Sequence, residues 1–554
     1  MGSYCQTKCF TIYVKIIKKL FMRRRMKKKL WVLLTGLLLS TNGVYANQAE
    51  YLTPSEQAEL VSQANDNDPV AQFSLGVMYF EGLDTPQDYP TALKWYQLSA
   101  DQGYAPAQNN LGLMYRNGLA VAQDYQEAVK WFELAAMQDY DLAQYNLGVM
   151  YGYGLGVVED HAQEYKWTKL AAEQGYLVAQ YNLAIMYFDG ISTPKNTEEA
   201  IKWFELSANQ GFDSAQFNLG KIYQLGIGVP KNAAMAVNWY EQAANQNNVY
   251  AQFELANLYI NGDGVTQDIQ SAMNLFLLAA NDGYAPAQNN LGTMYRDGIG
   301  VEKNYHTALK WYQLAADQHY DIAQYHLGLM FAYGLGVELN HRTAFSWYQK
   351  SAEQGYPLAQ YNLAVMYFDG IDMPKDYQLA LKWYQLAAEQ GYDLAQYNLG
   401  QLYSLGEGVN QDKTLAASWF QLAADQNNPY AQCELANLYV TGEGVEQNYQ
   451  KALDLYVLAA GQGYDIAQNN LGMMYLNGWA VKQDYQTAIN WYMLAAEQGY
   501  ELAQYNMGNM YFYGLGVEKD TEQAIKWYQL AAKQNYQPAI QSLADLRETN
   551  SIEK

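Results

Sequence analysis

Cysteine is nearly absent, with three residues in 554: Cys5 and Cys9 near the start, and Cys433 alone far along the chain. No framework of internal disulfides can hold such a chain, so packing must do it. Proline is scarce as well. Each of the twelve stands before an apolar stripe, in its first turn or in a loop, as Pro106, Pro194 and Pro374 do. None interrupts a helical stripe, as the cost of an interior proline requires. Positive charge is short, with 34 Lys and Arg against 56 Asp and Glu. Ten of those cations lie between Lys8 and Lys29, so the chain beyond residue 46 carries 24 against 56, a net −32. Such a surface repels phosphate backbones and excludes nucleic-acid binding driven by counterion release. Half of the residues are hydrophobic and 15% aromatic, which excludes wholesale disorder.

The start of the chain differs from the rest. Six basic residues between Met22 and Lys29 precede a ten-residue, mostly apolar run, Leu30 to Leu39, then polar Ser40-Thr41-Asn42 and Val44-Tyr45-Ala46. That order describes a secretory signal peptide cleaved after Ala46. About 20 apolar residues are needed to span a bilayer, so the run is a poor permanent anchor, and none later is long enough. Residues 1–21 fit no part of a signal and could lie upstream of a start at Met22 or Met26. The expected product is exported, to the periplasm or beyond the cell, with no membrane span in the mature chain.

What is abundant is repetition. Ala-Gln recurs with its alanine at 71, 107, 143 and onward to 503, always 36 residues apart, and Ala539 continues the series as Ala-Ile. Counting from that alanine, apolar residues fall at offsets 0, 4, 7 and 8, as in Ala143, Leu147, Met150 and Tyr151. This is helical spacing, with Gly148 at offset 5 allowing a neighbouring helix to come close. Offset 11 is glycine in all thirteen copies, which fits a left-handed helix C-cap. Offset 17 is Asp eight times and Asn five times, the residues that cap a new helix. A second stripe follows: Ala128, Trp131, Phe132, Ala135 and Ala136. Two antiparallel helices per 36 residues, stacked in series, make an all-α solenoid.

The stretch Ala143–Val157, followed by Asp160 and by Ala171 to Tyr176, resembles the Sel-1-like repeat, a relative of the tetratricopeptide repeat. The resemblance runs from residue 69 to about 546. It implies a right-handed α-solenoid superhelix of about thirteen helix-turn-helix repeats, with first helices lining the concave side, and a role in protein–protein scaffolding. Residues 47–68 read as an N-terminal cap and 547–554 as a polar tail. A cysteine-rich subgroup is linked to β-lactam binding or hydrolysis. It carries a cysteine pair per repeat, this chain has none, and that role ranks last. A longer period is also visible: Tyr104–Gly118 nearly returns as Tyr284–Gly298, 180 residues on, as if five repeats had been copied together.

At about 100° per residue, offsets 2, 6 and 9 cluster away from the packed arc, with offset 10 at its rim. Offset 2 supplies Asn109, Tyr145, Tyr181, Asn289, Tyr325, Tyr361 and Tyr397. Offset 9 supplies Arg116, Phe188, Arg296 and Phe368, and offset 10 supplies Tyr153 and Tyr333. A wall rich in Tyr, Phe and Asn with occasional Arg suits capture of a protein or peptide. The same rings could instead pack on the neighbouring repeat. They could also stack on sugars, making an envelope glycan the alternative ligand. In the groove reading, replacing Tyr325 and Tyr361 with alanine abolishes capture and leaves helicity intact. No enzyme is expected, nor a cofactor or a metal. Of four histidines within 36 residues, His319 replaces a helix-ending glycine, while His306 and His341 follow helix caps. The Gly-x-Gly run at 152–156 follows no strand. Cys433 reads as a buried thiol, and the protein as a monomer.

Overall fold

The computed structural model describes residues 54–552 apart from Asp84. The expected signal peptide, residues 1–46, lies outside the described residues, as do residues 47–53 of the expected cap and the last two residues of the tail. Twenty-eight helices and no strand are found among the described residues, an α-solenoid of thirteen helix pairs flanked by Pro54–Asn65 and Gln537–Ile552. The last helix continues into the expected polar tail, through residue 547 to Ile552. Arg547-Glu548-Thr549 holds no proline or glycine to stop it. The chain divides into two compact units, one ending at Lys231 and one beginning at Asn232, inside a loop of the fifth repeat.

Each repeat is made by the same local rules. In the second repeat Ala105–Asn117 is followed by Tyr125–Ala136, and in the third Asp141–Tyr153 by His161–Glu173. Asp124 opens a second helix by accepting from the Glu127 N–H at 3.0 Å. Gly154 closes a first helix at φ 62°, and all thirteen glycines at that register have φ between 62° and 77°. The turns after the second helices pass through the left-handed region as well, with Asp139 at φ 57° and His319 at φ 61°. Gly112 admits the ring of Phe132, since a Cβ there would lie 2.8 Å from it.

The core lies mainly between the second helix of one repeat and the first helix of the next. Ala128, Phe132, Ala135 and Ala136 pack with Ala143, Leu147 and Met150 of the following repeat, all fully buried or nearly so. Trp131 sits at the edge of this layer, half-buried, and the ring after it, Phe132, fills the centre. Burying the apolar groups of each repeat thus requires its neighbour, which makes stability a sum over adjacent pairs.

A polar ladder runs beside that core. The glutamine at offset 1 is buried in all thirteen copies, although the helical pattern alone suggests no reason for it. Gln108 donates to the Ala100 carbonyl at 3.2 Å and accepts from Gln138 at 2.8 Å. The same amide-to-amide bond recurs as Gln174 to Gln144, Gln354 to Gln324 and Gln498 to Gln468, at 2.7–2.8 Å. Where the donor should be, the sixth repeat has Asp282, and the Oε1 of Gln252 is left buried without a partner. A buried acceptor in that state costs about 1–3 kcal/mol. Asp282→Gln should therefore stabilise the protein by about 1 kcal/mol, read as a raised denaturation midpoint.

Candidate functional site

The offset-2 side chains lie in the seams between successive repeats. The ring of Tyr145 meets Tyr176 edge-on with centroids 5.3 Å apart, and its hydroxyl accepts from Asn182 at 3.0 Å. Tyr181 packs on Phe204 and Phe212, accepting from Asn218 at 3.2 Å. Tyr325 touches His326, Tyr348 and Tyr356. Tyr361 touches Tyr384 and Tyr392, and Tyr397 touches Phe420 and Tyr430. Burial pushes the Tyr145 hydroxyl up to about 12. Asn109 and Asn289 are buried outright, their Oδ1 atoms engaged by Asn146 and by His326, each at 2.9 Å. Removing Tyr325 or Tyr361 would open a seam, so alanine there is expected to cost stability as well as contact.

The side chains at offset 3 that hold these groups, Asn146, Asn182, Asn218 and His326, are the ones the sequence reading passes over. Their signal was available, because asparagine returns at this register in most copies. A polar residue one step from the core stripe nevertheless reads as solvated.

Offsets 9 and 10 lie nearer to solvent. Phe188 and Phe368 are half-buried, each with a lysine ammonium over its ring, Lys195 at 5.6 Å and Lys375 at 5.9 Å. Tyr333 is 69% exposed and Tyr513, its equivalent one block later, is 65% exposed. Tyr153, at the same register in the first block, is half-buried. Arg296 makes two parallel bonds to the Asp297 carboxylate, both 2.7 Å. Arg116, by contrast, is 97% withdrawn from solvent, its exposure being 3%. The structure therefore brings together no single pocket from the thirteen named residues. It distributes them between seams and an exposed rim at the ends of first helices.

Several reactive groups among the described residues are held in structural contacts. Cys433 is buried, and burial pushes its thiol up, away from nucleophilic character. His326 is driven down to about 3, first by burial and then by Arg296 beside it. Glu164 accepts from Ser192 at 2.9 Å and meets His161 Nδ1 at 2.8 Å. The carboxylate stands between hydroxyl and imidazole, so the histidine cannot take the serine proton directly. Among the described residues no three His, Cys, Asp or Glu side chains gather as metal ligands. Among them, too, no helix is long and apolar enough to cross a membrane.

The family model described as Sel1 repeat matches thirteen consecutive segments, the first over residues 69–104 and the last over 502–536. Among solved structures, the chain is similar to a protective antigen present in uropathogenic Escherichia coli strains that displays an SLR fold. Identity is 35% and the TM-score 0.68, covering 81% of this chain and 96% of that one. It is also similar to a Sel1 repeat protein from Oxalobacter formigenes, at 32% identity and a TM-score of 0.47, covering 56% of this chain and 89% of that one. Curated proteins contain no match. With thirteen matched segments spanning most of its length, this chain belongs to the Sel1 repeat family.

Proposed function

We infer that the protein is an exported, non-catalytic scaffold that holds a protein or peptide partner on the face formed by its first helices. The observation that carries this reading is the exposure of large aromatic rings at the carboxyl ends of two first helices. Tyr333 and Tyr513 stand 69% and 65% exposed at matching helix ends, next to half-buried offset-9 positions. Exposed tyrosines supply contact area at a small cost in side-chain entropy. Solenoids of stacked repeats generally use an extended first-helix surface of this kind for protein–protein interaction. Export is supported by the amino-terminal sequence, and by a relative that is a bacterial antigen. The mature chain works as a monomer in this reading, with Arg296 and Phe368 on the repeats either side of Tyr333.

An envelope glycan is the second reading, because an open tyrosine face can also stack on a sugar ring. Pull-down from envelope and host lysates with the chain from residue 47, with and without purified cell-wall fragments, separates the two. Capture of a discrete protein that survives the fragments supports the scaffold. Capture that the fragments abolish transfers the site to glycan.

A further inference from the structure

Arg116 is a cation withdrawn from water with nothing of opposite charge bonded to it. Its Nε and Nη1 donate to the side-chain oxygens of Asn117 and Asn146, both at a long 3.3 Å, and its Nη2 has no hydrogen-bond partner. Burying a guanidinium without a carboxylate is costly, and a planar fork of five donors is matched by a bidentate anion rather than by two amides. The repeat architecture supplies its own comparison. Arg296 occupies the same register 180 residues later, and there the following residue is Asp297 where the first block has Asn117. In that copy the guanidinium takes the carboxylate through two parallel 2.7 Å bonds, with the arginine side chain 22% exposed and the aspartate 40% exposed. In the second block, then, an arginine at this register is paired with a carboxylate and stands partly in solvent.

We propose that Arg116 is a receptor for a carboxylate of the bound polypeptide, from an acidic side chain or a chain end, which fills the place that Asp297 fills for Arg296. Asn117 and Asn146 hold the guanidinium until the ligand arrives. In naming the source of the carboxylate the proposal rests on the first-helix binding reading, but its test does not.

The full mature chain is titrated with acetate in a chloride background of constant ionic strength, then with acetyl-Ala-Glu-Ala-amide and with acetyl-Ala-Gln-Ala bearing a free C-terminus. The wild type should show a rise in thermal midpoint with acetate, and the two peptides tell which source of carboxylate is preferred. Asn117→Asp should raise the midpoint without any ligand and abolish the response. Arg116→Met should abolish the response, and Asp297→Asn should enlarge it by emptying a second such site, which keeps the test decisive if the first variant fails to fold. No response in the wild type, or an unchanged response in Asn117→Asp, overturns the proposal. Loss of partner capture with the acetate response intact would count against the scaffold reading alone.

Discussion

Replacing Tyr333 and Tyr513 together with alanine should remove partner capture while leaving the thermal midpoint nearly unchanged. Both rings are mostly in water, so their loss empties no core space, and surface substitutions of this kind shift stability by about 0.5 kcal/mol or less. Aromatic anchors at binding faces, in contrast, commonly carry about 2 kcal/mol or more each, so losing two lowers affinity by about three orders of magnitude. Tyr325→Ala and Tyr361→Ala serve as the contrasting pair. Their rings pack on the second helix and the closing turn of their own repeats, so those variants should lose stability whatever they do to capture. Binding by the double variant at wild-type affinity, measured by titration of the captured partner, would remove the exposed rim from the site.

His326→Asn should make the protein more resistant to acid. In the folded chain the imidazole stays neutral down to about pH 3, held there by burial and by Arg296. An unfolded histidine takes up its proton near pH 6.5. Between those values the unfolded state binds more protons than the folded one, so stability falls as the pH drops through the window. At pH 5 the loss is about 2 kcal/mol, and above pH 7 it vanishes. Asparagine is the residue that sister blocks use at this register, where Asn146 and Asn506 bond Asn109 and Asn469 at 2.9 Å. The variant therefore keeps the seam bond to Asn289 without the titrating ring. Denaturation midpoints at pH 7 and pH 5 should coincide for the two proteins at the first and separate at the second. Parallel behaviour at both values would contradict the assigned environment.

The caps and the core stripe were legible because their chemistry is local. A glycine at offset 11 and an Asp or Asn at offset 17 each solve a backbone problem within a few residues, and thirteen copies repeat the solution. The site was only partly legible, because helical angle places a side chain on a face but does not say how closely the next repeat approaches. Tyr145 and Tyr181 share an angle with a potential groove, yet Asn182 and Asn218 reach their hydroxyls from the following helix. The buried Gln at offset 1 was hidden for a related reason. It bonds a glutamine 30 residues away in sequence, and no single-helix pattern reports such a partner. Arg116 and Arg296 looked alike as residues, and their neighbours separate them, Asn117 and Asn146 around the withdrawn cation, Asp297 and His326 around the ion pair.

The most direct test of the central claim is amide hydrogen exchange on the mature chain with and without its captured partner. The account predicts new protection at the carboxyl ends of first helices, around Tyr153, Tyr333 and Tyr513, with second helices unchanged. Protection confined to second helices, around the half-exposed Leu134, Leu314 and Leu458, would place the partner on the opposite face and contradict it.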